Sequence, residues 1–300
     1  MCGIAALQLK DPALRPQLGS MMHAMLCEIV DRGPDSAGIA VYDVERFVHA
    51  GQSTVTLLDS PSSDEELSAA LAAELPSAGA VEVRTLGDTT LVSAAVDTAI
   101  LTAALRAVAP GARQIGRGTH VANLKGVGNP VDLAETFGLA SVSGTQGVSH
   151  TRMATESAVT ASGSHPFTVD DDLCLVHNGS FSNHATIRRG LRAQGIEFDS
   201  ENDSEVAARY LAMRLREGDD LTTGLENLRE TFDGFYTLVV TTADGLAVLR
   251  DPIACKPAII AETDQWVAVA SEYRALVDLP GIETANIFEP EPGEVYTWEF

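Results

Sequence analysis

Strand-like apolar runs stand at both ends of this 300-residue chain, with most of its helical patterns between them. Near the start, Gly3 to Leu9 and Ala37 to Tyr42 have the pattern of buried strands. Near the end, Phe235 to Thr241, Leu246 to Leu249, Ala258 to Ala261, Trp266 to Ser271 and Val295 to Trp298 follow one another as short strands. Gly147 to Thr151 and Leu173 to His177 add two more. Apolar spacing predicts helices over Pro12 to Val30, Asn183 to Ala193, Asp203 to Leu215 and Leu221 to Phe232. This order favours layered sheets covered by helices, an α+β arrangement, over simple alternation of strand and helix around a parallel sheet.

Residues 52–117 have the look of a compact insertion. Ser63-Asp64-Glu65-Glu66 is a capping-box signature opening an Ala- and Leu-rich helix that stops near Pro76. Two strand-like runs, Ala80 to Thr85 and Thr90 to Val96, precede a second Ala-rich helix over Thr98 to Val108. The whole chain carries 42 acidic and 20 basic side chains, a formal net charge of −22. Such acidity argues against nucleic acid and anionic membranes as partners, because both repel it. Cys2, Cys27, Cys174 and Cys255 are widely spaced with no CxxC pair, so neither a zinc site nor a disulfide framework is expected. No apolar run is long enough for a bilayer, and Lys10-Asp11-Pro12 interrupts any signal-peptide pattern. A soluble, cytoplasmic protein is the expectation.

Five places hold residues whose chemistry is worth weighing. Cys2 follows the initiator methionine, and trimming of that methionine would leave a terminal cysteine. Such a residue combines an α-amine of pKa about 8, able to act as a base, with a thiol of pKa about 8.5, able to act as a nucleophile. A small apolar residue opening a buried strand is the plainer reading. Asp31-Arg32-Gly33-Pro34-Asp35-Ser36 reads as a charged turn. Arg152, at the end of a strand-like run, offers a fork for a carboxylate or a structural ion pair. His177-Asn178-Gly179 suits a hairpin turn, or an amide and a backbone N–H presented to a developing oxyanion. Asp203 suits a helix N-cap, or a carboxylate for a substrate ammonium.

Taken together and in order, these motifs resemble the class II glutamine amidotransferases of the N-terminal nucleophile hydrolase superfamily. The resemblance runs through Cys2-Gly3-Ile4, Arg32-Gly33-Pro34-Asp35-Ser36-Ala37-Gly38, His150-Thr151-Arg152 with Thr155, and His165-Pro166-Phe167. It continues through His177-Asn178-Gly179, Asp203-Ser204-Glu205, Arg250-Asp251-Pro252, Ala270-Ser271-Glu272 and Pro292-Gly293-Glu294. It covers nearly all of residues 2–300 apart from the insertion. Asp31 departs from the histidine common before the Arg-Gly pair, and Met153 and Ala154 depart from the residues that commonly follow the arginine.

The resemblance implies a four-layer αββα sandwich with a small α/β insertion. It implies that Cys2 attacks the side-chain amide of L-glutamine with its own α-amine moving the proton, and that Asn178 and the N–H of Gly179 form the oxyanion hole. Arg152 would hold the substrate carboxylate and Asp203 its ammonium, with Thr155, Arg32 and His177 also around the substrate. Ammonia would leave, and water would release glutamate from a γ-glutamyl thioester. The chain ends at Phe300 directly after the last motif, so the ammonia acceptor is expected on another polypeptide. The likeness is to stand-alone amidotransferase subunits related to glutamate synthase and N-methylglutamate synthase. A flavin and an iron–sulfur cluster would then belong to synthase partner subunits, with no cofactor in this chain. An independent amidohydrolase and a non-catalytic regulatory subunit are the alternatives.

Overall fold

The structure is a computed structural model that describes residues 2–153 and 159–300. Strand β1 (Gly3–Leu9) is buried along its whole length. The helix expected over 12–30 is divided: Pro12–Gln17 is a 3-10 helix, and only Leu18–Ile29 is α-helical (α1). Pro16 explains the break, because it donates no N–H and its ring obstructs a preceding α-turn. After β2 (Ser36–Tyr42), the chain builds a separate antiparallel sheet from β3 (Ser53–Leu58), with α2 (Asp64–Glu74), β4 (Glu82–Leu86), β5 (Thr89–Ala94), α3 (Thr98–Val108) and β6 (Arg113–Gly118). Its strand order is β4-β5-β3-β6. The capping box at Ser63 forms with both of its bonds.

The chain returns through β7 (Val121–Val127), α4 (Pro130–Phe137), β8 (Gln146–Arg152), β9 (Phe167–Asp170) and β10 (Leu173–Phe181). Three helices follow, α5 (His184–Ala193), α6 (Asp203–Arg216) and α7 (Leu221–Thr231). Strands β11 (Gly234–Thr241), β12 (Gly245–Arg250), β13 (Ile259–Glu262), β14 (Trp266–Ala270), β15 (Asn286–Phe288) and β16 (Val295–Glu299) finish it. The strands form a seven-stranded sheet, β15-β13-β14-β1-β8-β2-β7, and a five-stranded one, β16-β12-β11-β10-β9.

Strand periodicity explains the layering. Successive side chains leave a strand on opposite faces, so a strand covered on both sides is apolar throughout. Ile4, Ala6 and Val148 of one sheet pack between the sheets against Cys174, Val176 and Val239 of the other. Their neighbours Ala5, Leu7 and Leu9 face α1 instead, and Leu175 and Phe181 face α6 and α7. The layers therefore run helix, sheet, sheet, helix. The Tyr42 hydroxyl, 2.9 Å from the Thr241 carbonyl, ties the two sheets together on the side away from Cys2.

At two places the plainer of the two readings does not hold. His177-Asn178-Gly179 is no hairpin turn, because β10 continues to Phe181 with Asn178 opposite Thr237 and Gly179 opposite Tyr236. Asp203 is not the cap of α6. Asn202 takes that position, its side chain accepting from the Ser204 N–H at 2.9 Å, which frees the Asp203 carboxylate for another use.

Candidate active site

Strand parity aims Cys2 and Asn178 at the same place. Cys2 has the parity of Ile4 and Ala6, and Asn178 that of Cys174 and Val176, so both face the space between the sheets at its end. Asn178 Nδ2 donates to the Cys2 carbonyl at 3.3 Å and to Ser271 Oγ at 3.2 Å. Ser271 Oγ also accepts from the Ile4 N–H at 2.9 Å, fixing the start of β1. Arg32 Nε donates to the same Cys2 carbonyl at 2.9 Å while its Nη1 meets Glu272 at 2.6 Å. Arg274 takes the other oxygen of Glu272, also at 2.6 Å. Hydrogen bonding from Arg32 and the charges of both arginines hold the Glu272 carboxyl below its usual pKa. Cys2 is in no disulfide and is half-buried.

A layer of buried imidazoles backs Asn178. His150 Nε2 lies 3.1 Å from Asn178 Oδ1 and 3.2 Å from the His177 carbonyl. Both partners only accept, so Nε2 carries the proton, and this fixes the amide with its Nδ2 toward Cys2. Ser204 Oγ sits 2.8 Å from both His165 Nε2 and His177 Nδ1. Burial lowers all three histidines, His150 to about 3 and His177 to about 4, so the layer is neutral at pH 7.

The other expected residues surround this pair. Asp203 is the first residue of α6, where the helix dipole favours an anion, and its Oδ2 accepts from the Phe181 N–H at 3.0 Å. Its side chain keeps 22% exposure. Arg152, buried at the end of β8, holds the segment after Gly33 through an Asp35 N–H bond to its carbonyl at 3.1 Å. Gly33 is needed for that approach, since a Cβ there would lie 2.5 Å from the Arg152 carbonyl carbon. Gly163 connects Arg152 to α6. A Cβ on it would stand 3.3 Å from Arg152 Nη1, and its carbonyl accepts from Asn202 Nδ2 at 3.4 Å. Gly179 has an exposed backbone at φ +141°, and a Cβ there would meet the Phe235 carbonyl oxygen at 2.0 Å. His177 lies behind the open rim, stacked on Phe181 at 4.4 Å. Thr155 lies outside the described residues.

Sequence reasoning gave no role to Ser204, Ser271, His150 or His165. All four stand within motifs that carry the family resemblance, but what they touch is set by contacts such as Ser204 to His165, 39 positions apart.

A glutamine amidotransferase domain family matches residues 150–278. Over 303 residues the chain is 48% identical to the glutamine amidotransferase-like protein GlxB of Rhizobium meliloti, covering 100% of this chain and 98% of that one. The chain belongs to the class II glutamine amidotransferases. This amidotransferase is also 29% identical over 319 residues to a putative glutamine amidotransferase of Methanothermobacter thermautotrophicus, with 100% of both chains covered. Its fold matches the glutamine phosphoribosylpyrophosphate amidotransferase of B. subtilis with a TM-score of 0.61 at 19% identity, over 99% of this chain and 47% of that one. The amidotransferase thus spans about half the length of that enzyme and shares with it the N-terminal nucleophile hydrolase type of fold. No helix among its described residues is long and apolar enough to cross a membrane.

Proposed function

We propose that this amidotransferase hydrolyses L-glutamine to glutamate and ammonia through a γ-glutamyl thioester on Cys2, and delivers the ammonia to a synthase partner of the glutamate synthase type. With Met1 removed, the Cys2 α-amine takes the thiol proton and the thiolate attacks the amide carbon. Asn178 Nδ2 and the Gly179 N–H receive the oxyanion. The ammonium formed from the amine then protonates the departing nitrogen, and water cleaves the thioester. Asp203 and Arg152 receive the substrate ammonium and carboxylate, and Arg32 fixes the backbone of the nucleophile. Flavin and iron–sulfur chemistry, if the partner uses them, resides on the partner.

The observation that carries this reading is the Asn178 amide, held from behind by His150 and aimed at Cys2. The test is a glutaminase assay combined with intact-mass analysis before and after an electrophilic glutamine analogue. The expected result is one adduct on a chain lacking Met1, with Cys2→Ala losing the adduct and at least ~10³-fold of turnover. Turnover surviving in Cys2→Ala would refute the nucleophile assignment. Co-purification with a synthase subunit that raises the glutaminase rate tests the partner.

A further inference from the structure

Where the β3–β6 sheet meets the rest of the chain there is a cavity of about 420 Å³, walled by Arg106, Arg113 and Arg117 on one side and by Thr168 and Arg209 on the other. A side pocket of about 50 Å³ shares Arg113, Arg209 and Asp199 with it and reaches Lys125, Phe167 and Glu205. Four arginines line one cavity of a chain with 42 acidic and 20 basic side chains, and Asp199 is the acidic residue in that lining. Their counterions are unequal. Arg117 pairs with Asp170 and Asp171, and Arg209 with Asp199 and Glu205. Arg113 reaches only Asp59 at 3.5 Å, with both side chains more than half exposed. Arg106 makes no ion pair among the described residues.

Lys125 is the unusual group. It is 2% exposed, and among the described residues its ammonium has no hydrogen bond or ion pair, only the Phe167 ring at 4.9 Å. Glu205, whose charge acts on it, is already occupied. That carboxylate accepts from the Asp199 and Ser200 N–H groups at 2.8 and 2.7 Å, from Ser200 Oγ at 2.7 Å and from Arg209 Nε at 2.8 Å. Burial accordingly pulls Lys125 down to about 7. A desolvated ammonium without a counterion is costly, and a compact anion in the adjoining space removes that cost.

We propose that this cleft binds a small anionic metabolite, its carboxylate or phosphoryl group seated in the side pocket between Lys125, Arg113 and Arg209, with Arg106 and Arg117 at the mouth. The volume of the side pocket suits one such group, and the larger cavity takes the remainder of the ligand. Guanidinium forks match either oxyanion in pairs.

Isothermal titration calorimetry on the full chain tests this, with inorganic phosphate and succinate as separate probes and ionic strength fixed with sodium chloride. The expected result is saturable one-site binding of at least one probe with a Kd of about 1 mM or tighter. Binding of phosphate alone points to a phosphate ester, and of succinate alone to a carboxylic acid. Lys125→Met weakens binding by about tenfold or more, equivalent to about 1.4 kcal/mol. The surface pair Arg106→Gln/Arg113→Gln weakens it several-fold, and stands as the test if Lys125→Met does not fold. No saturable binding of either probe to the wild-type chain overturns the proposal, as does equal binding by wild type and the folded variants.

Discussion

Two buried regions of this molecule are built on opposite principles. The β3–β6 sheet packs an apolar core against α2 and α3, filled by Val55, Leu57, Leu67, Leu71, Val92 and Leu101. The layer behind Cys2 is polar, with His150, His165, His177, Asn178 and Ser204 all buried and joined by hydrogen bonds. In the first region a side chain matters by its volume, because a deletion costs transfer energy and leaves a cavity. In the second it matters by direction, because each donor fixes what the next can accept. His150, His165 and His177 each leave one ring nitrogen without a partner among the described residues. Such a layer is poorly suited to stabilising the fold, and its organisation makes sense as a mount for the Asn178 amide.

The largest expected effects break this comparison on its activity side. Asn178→Ala should lower kcat by about 10²–10³-fold with little change in KM, the loss typical of one oxyanion donor. Asp203→Asn should instead raise KM, by an amount equivalent to about 2–5 kcal/mol, by leaving the substrate ammonium unpaired. Steady-state kinetics with glutamine separates the two. A pure kcat effect for Asp203→Asn, or an unchanged kcat for Asn178→Ala, would contradict the assigned roles. On the other side, Leu71→Ala in the apolar core should cost about 2–5 kcal/mol in urea unfolding while kcat per folded molecule stays the same. A drop in kcat there would mean that the two regions are coupled.

A smaller effect per residue comes from pH. The three histidines have folded pKa values below the unfolded value near 6.5, so the unfolded chain binds protons that the folded one refuses. Their neutral, bonded state is therefore favourable above about pH 6.5 and loses that advantage as pH falls toward about 4. Between about pH 7 and pH 5, each ring that stays neutral should reduce unfolding free energy by about 1–2 kcal/mol. Urea unfolding at the two pH values measures the sum. A His177→Gln variant, which removes one of the rings, should show a shallower dependence, and an unchanged slope would count against His177 as a contributor.

The sequence carried the apolar half of this comparison more completely than the polar half. Helix α3 lies where the Ala-rich run over Thr98 to Val108 puts it, because its amphipathic face is local information. Strands β1 and β2 were legible for the same reason, their burial being written as continuous apolar runs. His177-Asn178-Gly179 misled because polar residues interrupt an apolar run there. A strand that lines a site looks locally like a strand that ends. The cap reading of Asp203 does not hold because Asn202 takes that place, and a Phe181 N–H 22 positions away recruits the carboxylate. The candidates Cys2, Arg32, Asn178 and Asp203 were nameable from ordered motifs. The mounts Ser204, Ser271 and His150 were not, since contacts with β10 decide what they touch.

The smallest expected effect tests how local the apolar region is. Ser63 and Glu66 form a reciprocal box, with the Ser63 N–H donating to Glu66 Oε2 at 3.0 Å and the Glu66 N–H to Ser63 Oγ at 3.3 Å. Asp64, the first residue of α2, also accepts from Thr85 of β4, at 3.0 Å from its N–H and 2.5 Å from its hydroxyl. Ser63→Ala removes one side of the box and should cost about 1 kcal/mol of stability. Because Asp64 still pins the same turn to the sheet, α2 should remain docked, and the loss should appear in unfolding alone with glutamine kinetics unchanged. A Ser63→Ala loss as large as that of Leu71→Ala would show that the cap secures the docking of α2 as well as its first turn. The apolar core would then depend on hydrogen-bond direction as much as the layer behind Cys2 does.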